Sequence, residues 1–241
     1  MHRLPIVICL TLIACTGGSD EGWDSNSADL TAAPKPTLTS AETATDPVID
    51  GVGDEAAWAS APVSSFSTFW SGKTSPTTTH VRTLWNEHAL YMLLDLEGAG
   101  LNVDTSRPVG VERVNLYEED CVEIFFTPDP AIRQRYFEIE LGPKGHFFDL
   151  LIDHRTNLSD QSWSSNLEIE TTTDAVSHRA TIEVAFRNPE MLATLKSGAK
   201  LPINMFRMEG KTPREYLAWS PTLTPRPNFH VVDAFGTLAL P

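Results

Sequence analysis

Apolar and polar residues alternate along much of the chain from residue 80 onward. His80-Val81-Arg82-Thr83-Leu84-Trp85 is one such run, and Ala89-Leu90-Tyr91-Met92-Leu93-Leu94-Asp95-Leu96 follows it closely. Cys121-Val122-Glu123-Ile124-Phe125-Phe126 and Tyr136-Phe137-Glu138-Ile139-Glu140-Leu141 repeat the pattern. A period of two sends successive side chains to opposite faces, so each run reads as a strand with one face on a core. Further strands are expected over 146–152, 166–173, 179–186, 201–209, 216–219 and 235–240. Pro, Gly and Asn/Asp clusters separate them at short spacings, which predicts an all-β sandwich of about ten to eleven strands. Immunoglobulin-like and jelly-roll-like sandwiches both fit that rhythm. Helical stretches are brief, over 54–59 and over 189–195, where Asn188 stands as N-cap before Pro189.

The same alternation sorts the chemistry. Val122, Ile124 and Phe126 share one face of their strand, and Cys121, Glu123 and Phe125 share the other. In the next strand Phe137, Ile139 and Leu141 oppose Tyr136, Glu138 and Glu140. If the two strands pair, carboxylates and a tyrosine gather on one sheet face. From periodicity alone that face is best read as a solvated one. Paired carboxylates can also hydrolyse glycosides, hold sugar hydroxyls, or bind calcium through oxygen.

The first 45 residues follow different rules. Arg3 precedes an apolar run, residues 4–13, of about ten residues, too short for a spanning helix of roughly 20. Leu12-Ile13-Ala14-Cys15 closes it. A basic start, a short apolar core and small residues at its end make a secretory signal over 1–14. The closing four residues resemble a bacterial lipobox, which implies lipidation at Cys15 and a membrane partner through that anchor. Thr16, and not Asp, follows the cysteine; by resemblance to Gram-negative sorting this implies an outer-membrane lipoprotein facing the periplasm or the surface. Residues 15–45 are rich in Gly, Ser, Thr, Ala and Pro and nearly empty of large apolar residues, and are expected to be a flexible linker. The domain then runs from 46 to 241.

Charge and cysteines narrow the classes. The chain carries 18 Lys+Arg against 32 Asp+Glu, a net charge of −14, so nucleic acid is excluded as an expected partner. With Cys9 in the signal and Cys15 lipidated, Cys121 remains alone, and its apolar neighbours predict a buried, poorly reactive thiol. Gly72-Lys73-Thr74 looks like the end of a phosphate loop, but Ser67 stands where its first glycine belongs and Pro76 where a helix should begin. No serine-hydrolase elbow, zinc-protease helix or zinc cysteine pair is present. The histidines are scattered and are read as surface or strand-edge residues.

Val48-Ile49-Asp50-Gly51 with Asp54-Glu55-Ala56-Ala57-Trp58 resembles the opening of family 9 carbohydrate-binding modules. Residues 81–86 with Leu90-Tyr91, 116–126, 136–139, Trp219-Ser220-Pro221, Asn228-Phe229-His230 and Phe235-Gly236 resemble later family segments in the same order. The resemblance covers residues 47–240 and implies a DOMON-like sandwich that binds carbohydrate, a polysaccharide or oligosaccharide end, without cleaving it. Structural calcium is the one cofactor it suggests. Such modules clamp a terminal sugar between aromatic rings; Tyr117 falls at the first ring, Phe229 near the second, and Glu123 at the sugar-binding acid. Glu138 stands where the family has arginine, and Phe206 about where it has an amide. Arg207 and Trp219 are further candidates for the same face, whereas Trp58 and Trp85 read as core. Three alternatives stand beside the sugar-binding reading. They are an interaction lipoprotein that uses the sandwich without sugar, a hydrolase acting through Glu123 and Glu138, and a haem domain with Met92 as an axial donor.

Overall fold

A computed structural model describes residues 34–98 and 102–241. The signal segment, Cys15 and the linker up to residue 33 lie outside the described residues. Fourteen strands among those described form two sheets. The first sheet runs β1 (Thr37–Thr39), β14 (Gly236–Ala239), β12 (Lys200–Glu209), β6 (Cys121–Phe126), β7 (Arg135–Leu141), β8 (Phe147–Asp153) and β9 (Leu158–Asp160), with β13 (Glu215–Ala218) also paired to β12. The second runs β10 (Leu167–Asp174), β11 (Arg179–Phe186), β5 (Leu90–Glu97), β4 (Thr74–Trp85) and β2 (Ala41–Glu42), with β3 (Ser64–Thr68) on β4. Two short helices, α1 (Ala56–Ser60) and α2 (Pro189–Leu192), complete the architecture. Asn188 caps α2 as expected, its Oδ1 accepting the Glu190 and Met191 amides.

All ten strands expected from alternation are present. The four others, β1, β2, β3 and β9, are short and carry too few large apolar residues to announce themselves. β1 and β2 correct the expected linker boundary. Residues 37–42 belong to the sandwich: β1 pairs in parallel with β14, and β2 pairs in parallel with β4 in the other sheet. Leu38 is fully buried between them, and the Ser40 amide donates to the Ala239 carbonyl where the chain changes sheets. Backbone pairing and one leucine hold a segment whose Thr/Ser/Ala composition looks like a stalk.

The core lies between the sheets. Val122, Ile124, Phe126, Phe137, Ile139 and Leu141 from the first sheet meet Val81, Met92, Leu94, Leu96, Ile182 and Val184 from the second. A one-residue slip of β6 would send Val122, Ile124 and Phe126 outward, so this core fixes the register that gathers Glu123 and its neighbours on the opposite face. Met92, the axial donor that a haem reading names, is fully buried among the apolar side chains of this core.

The outer face of the second sheet is closed by the residues that open the domain. Ile49 and Trp58 pack on Leu84, Tyr91 and Leu93. Glu183 of β11 holds that segment: its carboxylate accepts the Trp58 indole N–H (2.8 Å) and the Asp50 and Gly51 amides (3.1 and 3.0 Å). Gly51 has φ +80°, and a Cβ there would stand 2.7 Å from the Thr171 backbone, so the turn demands glycine. Ile49-Asp50-Gly51 and Trp58, prominent in the sequence, are thus an anchoring device. Trp85 is core as well.

Candidate functional site

The outer face of the first sheet carries the polar chemistry. Strict alternation on β6 and β7 turns Cys121, Glu123, Phe125, Tyr136, Glu138 and Glu140 away from the core, and Phe206 and Met208 of β12 join them. Glu123 stands directly opposite Glu140 on one side and Phe206 on the other, while Phe125 faces Glu138. The expected solvated face is not solvated. Leu116, Phe229 and Phe235 pack over it from the segments on either side, and Glu123, Glu138 and Glu140 are only 4%, 8% and 2% exposed. Burial pushes the Glu138 and Glu140 carboxyls well above the usual carboxylate range, and Glu138 adds like-charge repulsion to Glu140. Burial also raises the Cys121 thiol, consistent with a poorly reactive side chain.

One short segment sets the aromatic rim. Asn115 adopts φ +66° and leads into a 3₁₀ turn, Leu116–Glu118, that buries Leu116 and leaves Tyr117 half-buried above the carboxylates. The Tyr117 amide donates to the Glu140 carboxylate. Arg214 fastens the segment from the other side, donating to the Tyr117 carbonyl (2.6 Å), the Glu119 carbonyl and the Gly210 carbonyl (2.7 Å). Asp120 completes the clasp by accepting the Gly210 and Asn102 amides, each at 2.8 Å.

Phe229 lies flat on Phe206, with ring centroids 4.0 Å apart and planes at 8°. Tyr216 meets Phe229 edge-on, and Trp70 meets Tyr216 edge-on. Tyr117, Tyr216 and Trp70 are each half-buried, so they present ring surface where Phe229, 7% exposed, does not. Farther along the face the Tyr136 hydroxyl sits between His154 Nε2 (3.0 Å) and His230 Nδ1 (2.7 Å). Buried acids under half-buried aromatic rings suit a ligand with apolar faces and hydroxyl edges.

The model of the carbohydrate family 9 binding domain-like family matches residues 49–241. The chain belongs to that family. Solved structures agree on the fold of this family 9 domain. A candidate carbohydrate-binding protein from Bacteroides uniformis ATCC 8492 superposes with a TM-score of 0.68 at 13% identity, covering 87% of this chain and 100% of that one. A family 9 module from Caldicellulosiruptor kristjanssonii in complex with cellotriose gives 0.60 at 15%, over 85% and 93%. The same organism's module in complex with glucose gives 0.59 at 15%, over 86% and 96%. At these identities the likeness concerns the fold. A search of curated proteins gives no match.

In this family 9 domain Tyr117, Glu123, Glu138 and Phe229 come together on one face. Arg207 and Trp219 do not join them. Phe206 faces outward, so Arg207, one residue on, points between the sheets, where its guanidinium donates to the Thr78 and Glu97 carbonyls and pairs with Glu209 at 2.9 Å. It is 2% exposed, and burial lowers its pKa while Glu209 opposes that shift. Trp219 is likewise buried in the core, its indole N–H donating to Ser64 Oγ at 2.9 Å. Both are structural. Sequence reasoning also passed over Trp70, Tyr216 and Arg214. Tyr216 shares strand parity with Ala218 and could have been placed outward from it, whereas Trp70 and Arg214 lie outside any alternating run.

Proposed function

We propose that this domain is a non-catalytic glycan-binding module that takes a sugar end on the outer face of the first sheet. The observation that carries the reading is that Tyr117, Tyr216 and Trp70, all half-buried, pack against the apolar cluster of the sheet face that also holds Glu123 and Glu138. An apolar sugar face against a ring excludes water, and the carboxyl groups meet the hydroxyls. The solved family modules with glucose and cellotriose make glucose-ended oligosaccharides the first probes. Hydrolysis fits the face poorly, because Glu123 and Glu138, diagonal neighbours on β6 and β7, are both buried on one sheet face instead of flanking an open cleft. Tyr117→Ala and Tyr216→Ala should each weaken binding about 10- to 30-fold, corresponding to roughly 2 kcal/mol for a stacked ring, with the circular dichroism spectrum unchanged. Titration calorimetry reads this directly; full affinity in both variants would remove the site from this face.

Phe229 is a poor probe of the same idea. Its ring fills the space above Phe206, so Phe229→Ala would open a cavity and confound binding with folding. That stack also favours a second reading, in which the closed face serves protein interaction and no sugar binds. A glycan array without any hit would select it.

The proposal extends to location: signal cleavage before Cys15, lipidation there, and display from the cell envelope, outer membrane included. No helix among the described residues is long and apolar enough to cross a membrane, so the lipid would supply the anchor. Cys15→Ser should move the protein from the membrane fraction to the soluble one or block its processing. Wild-type protein that takes up no radiolabelled fatty acid would refute the anchor.

A further inference from the structure

We propose that Cys121, Glu123 and Glu140 form a binding site for a zinc-type divalent cation beneath the aromatic rim. This goes beyond sugar recognition and stands without it. Cys121 and Glu123 lie two residues apart on one face of β6, and Glu140 faces Glu123 across the β6–β7 pair. The Cys121 Sγ and one carboxylate oxygen from each glutamate lie within 4.8 Å of one another, all on buried residues. A zinc ion with bonds of about 2.3 Å to sulfur and 2.0–2.2 Å to oxygen holds such ligands roughly 3.5 Å apart, a small side-chain rotation away. The strands that carry them are fixed by the sheet on both sides, so the donor set is held ready.

A second observation points to a ligand. Glu140 Oε2 is buried with no hydrogen-bond partner, although the Tyr117 amide reaches the same carboxylate. An unmatched carboxylate oxygen inside a protein is costly, and metal coordination is one way to satisfy it. Arg214, whose charge is felt at Cys121, is committed to Asp120 and to three backbone carbonyls. Sulfur decides the metal class: calcium and magnesium select oxygen alone, whereas a thiolate with carboxylates suits zinc. On binding, the Cys121 thiol and the Glu140 carboxyl would each release a proton to solvent.

Purified full-length protein without a histidine tag, stripped with a chelator, tests this by calorimetry with zinc chloride and by absorbance with cobalt chloride. The expected result is one zinc per chain, a thiolate-to-cobalt charge-transfer band in the near ultraviolet, and weaker binding of calcium. Cys121→Ser and Glu140→Gln should each lower zinc affinity at least about tenfold. The cobalt band reports the thiolate in the wild-type protein, so it decides the matter even if a variant folds poorly. Absence of zinc binding, a cobalt complex without that band, or a preference for calcium would each overturn the proposal. Because Glu123 belongs to both sites, glycan affinity is read on the metal-free protein and bears on the sugar site alone.

Discussion

Arg207→Ala should lower the free energy of unfolding by about 3–5 kcal/mol, the range for removing one partner of a buried ion pair. The loss would leave Glu209 buried opposite no cation and the Thr78 and Glu97 carbonyls without their donor. Burial already raises the Glu209 carboxyl, while Arg207 and the Thr77 hydroxyl favour its charged form. Arg207→Met combined with Glu209→Gln removes both charges and keeps the volume, so it should recover a large part of the loss. Urea unfolding followed by circular dichroism measures both. A single substitution that costs less than about 1 kcal/mol would mean that the pair is solvated and the two sheets are open at that end.

Glu183→Ala is the second large effect, expected at about 3 kcal/mol from several orphaned donors. The Trp58 indole N–H and the Asp50 and Gly51 amides would all lose their acceptor, and the segment that closes the outer face of the second sheet would loosen. Glu183→Gln keeps one carbonyl oxygen and should cost less. The distinguishing readout is Trp58: its local environment should become more polar in the alanine variant before global unfolding, giving a red-shifted fluorescence component. Cooperative loss of all structure with no such early change would show that the opening segment contributes to the fold only as part of the whole.

These two residues also show where sequence reading succeeds and where it stops. Alternation assigned β6 and β7 and collected Cys121, Glu123, Tyr136, Glu138 and Glu140 on one face, because a strand leaves no third direction for a side chain. The same parity places Arg207 opposite Phe206, hence inward, yet arginine is so rarely buried that an outward role looked natural. Only the third dimension supplies Glu209 and two carbonyls to receive it. Glu183 reads as one more polar position on a strand, and its three donors come from a segment more than 120 residues earlier in the chain. The covering of the carboxylate face was equally invisible. Phe229 and Leu116 sit in segments with no periodicity, and nothing local says that one stacks on Phe206 and the other seals Cys121.

Chemical-shift mapping of isotopically labelled protein against the tightest ligand from a glycan array tests the sugar-binding face most directly. The expected result is one saturable site whose largest shifts fall at Tyr117, Tyr216, Trp70 and Glu123 on the outer face of the first sheet. Shifts confined to the second sheet, or an array with no bound glycan, would contradict it.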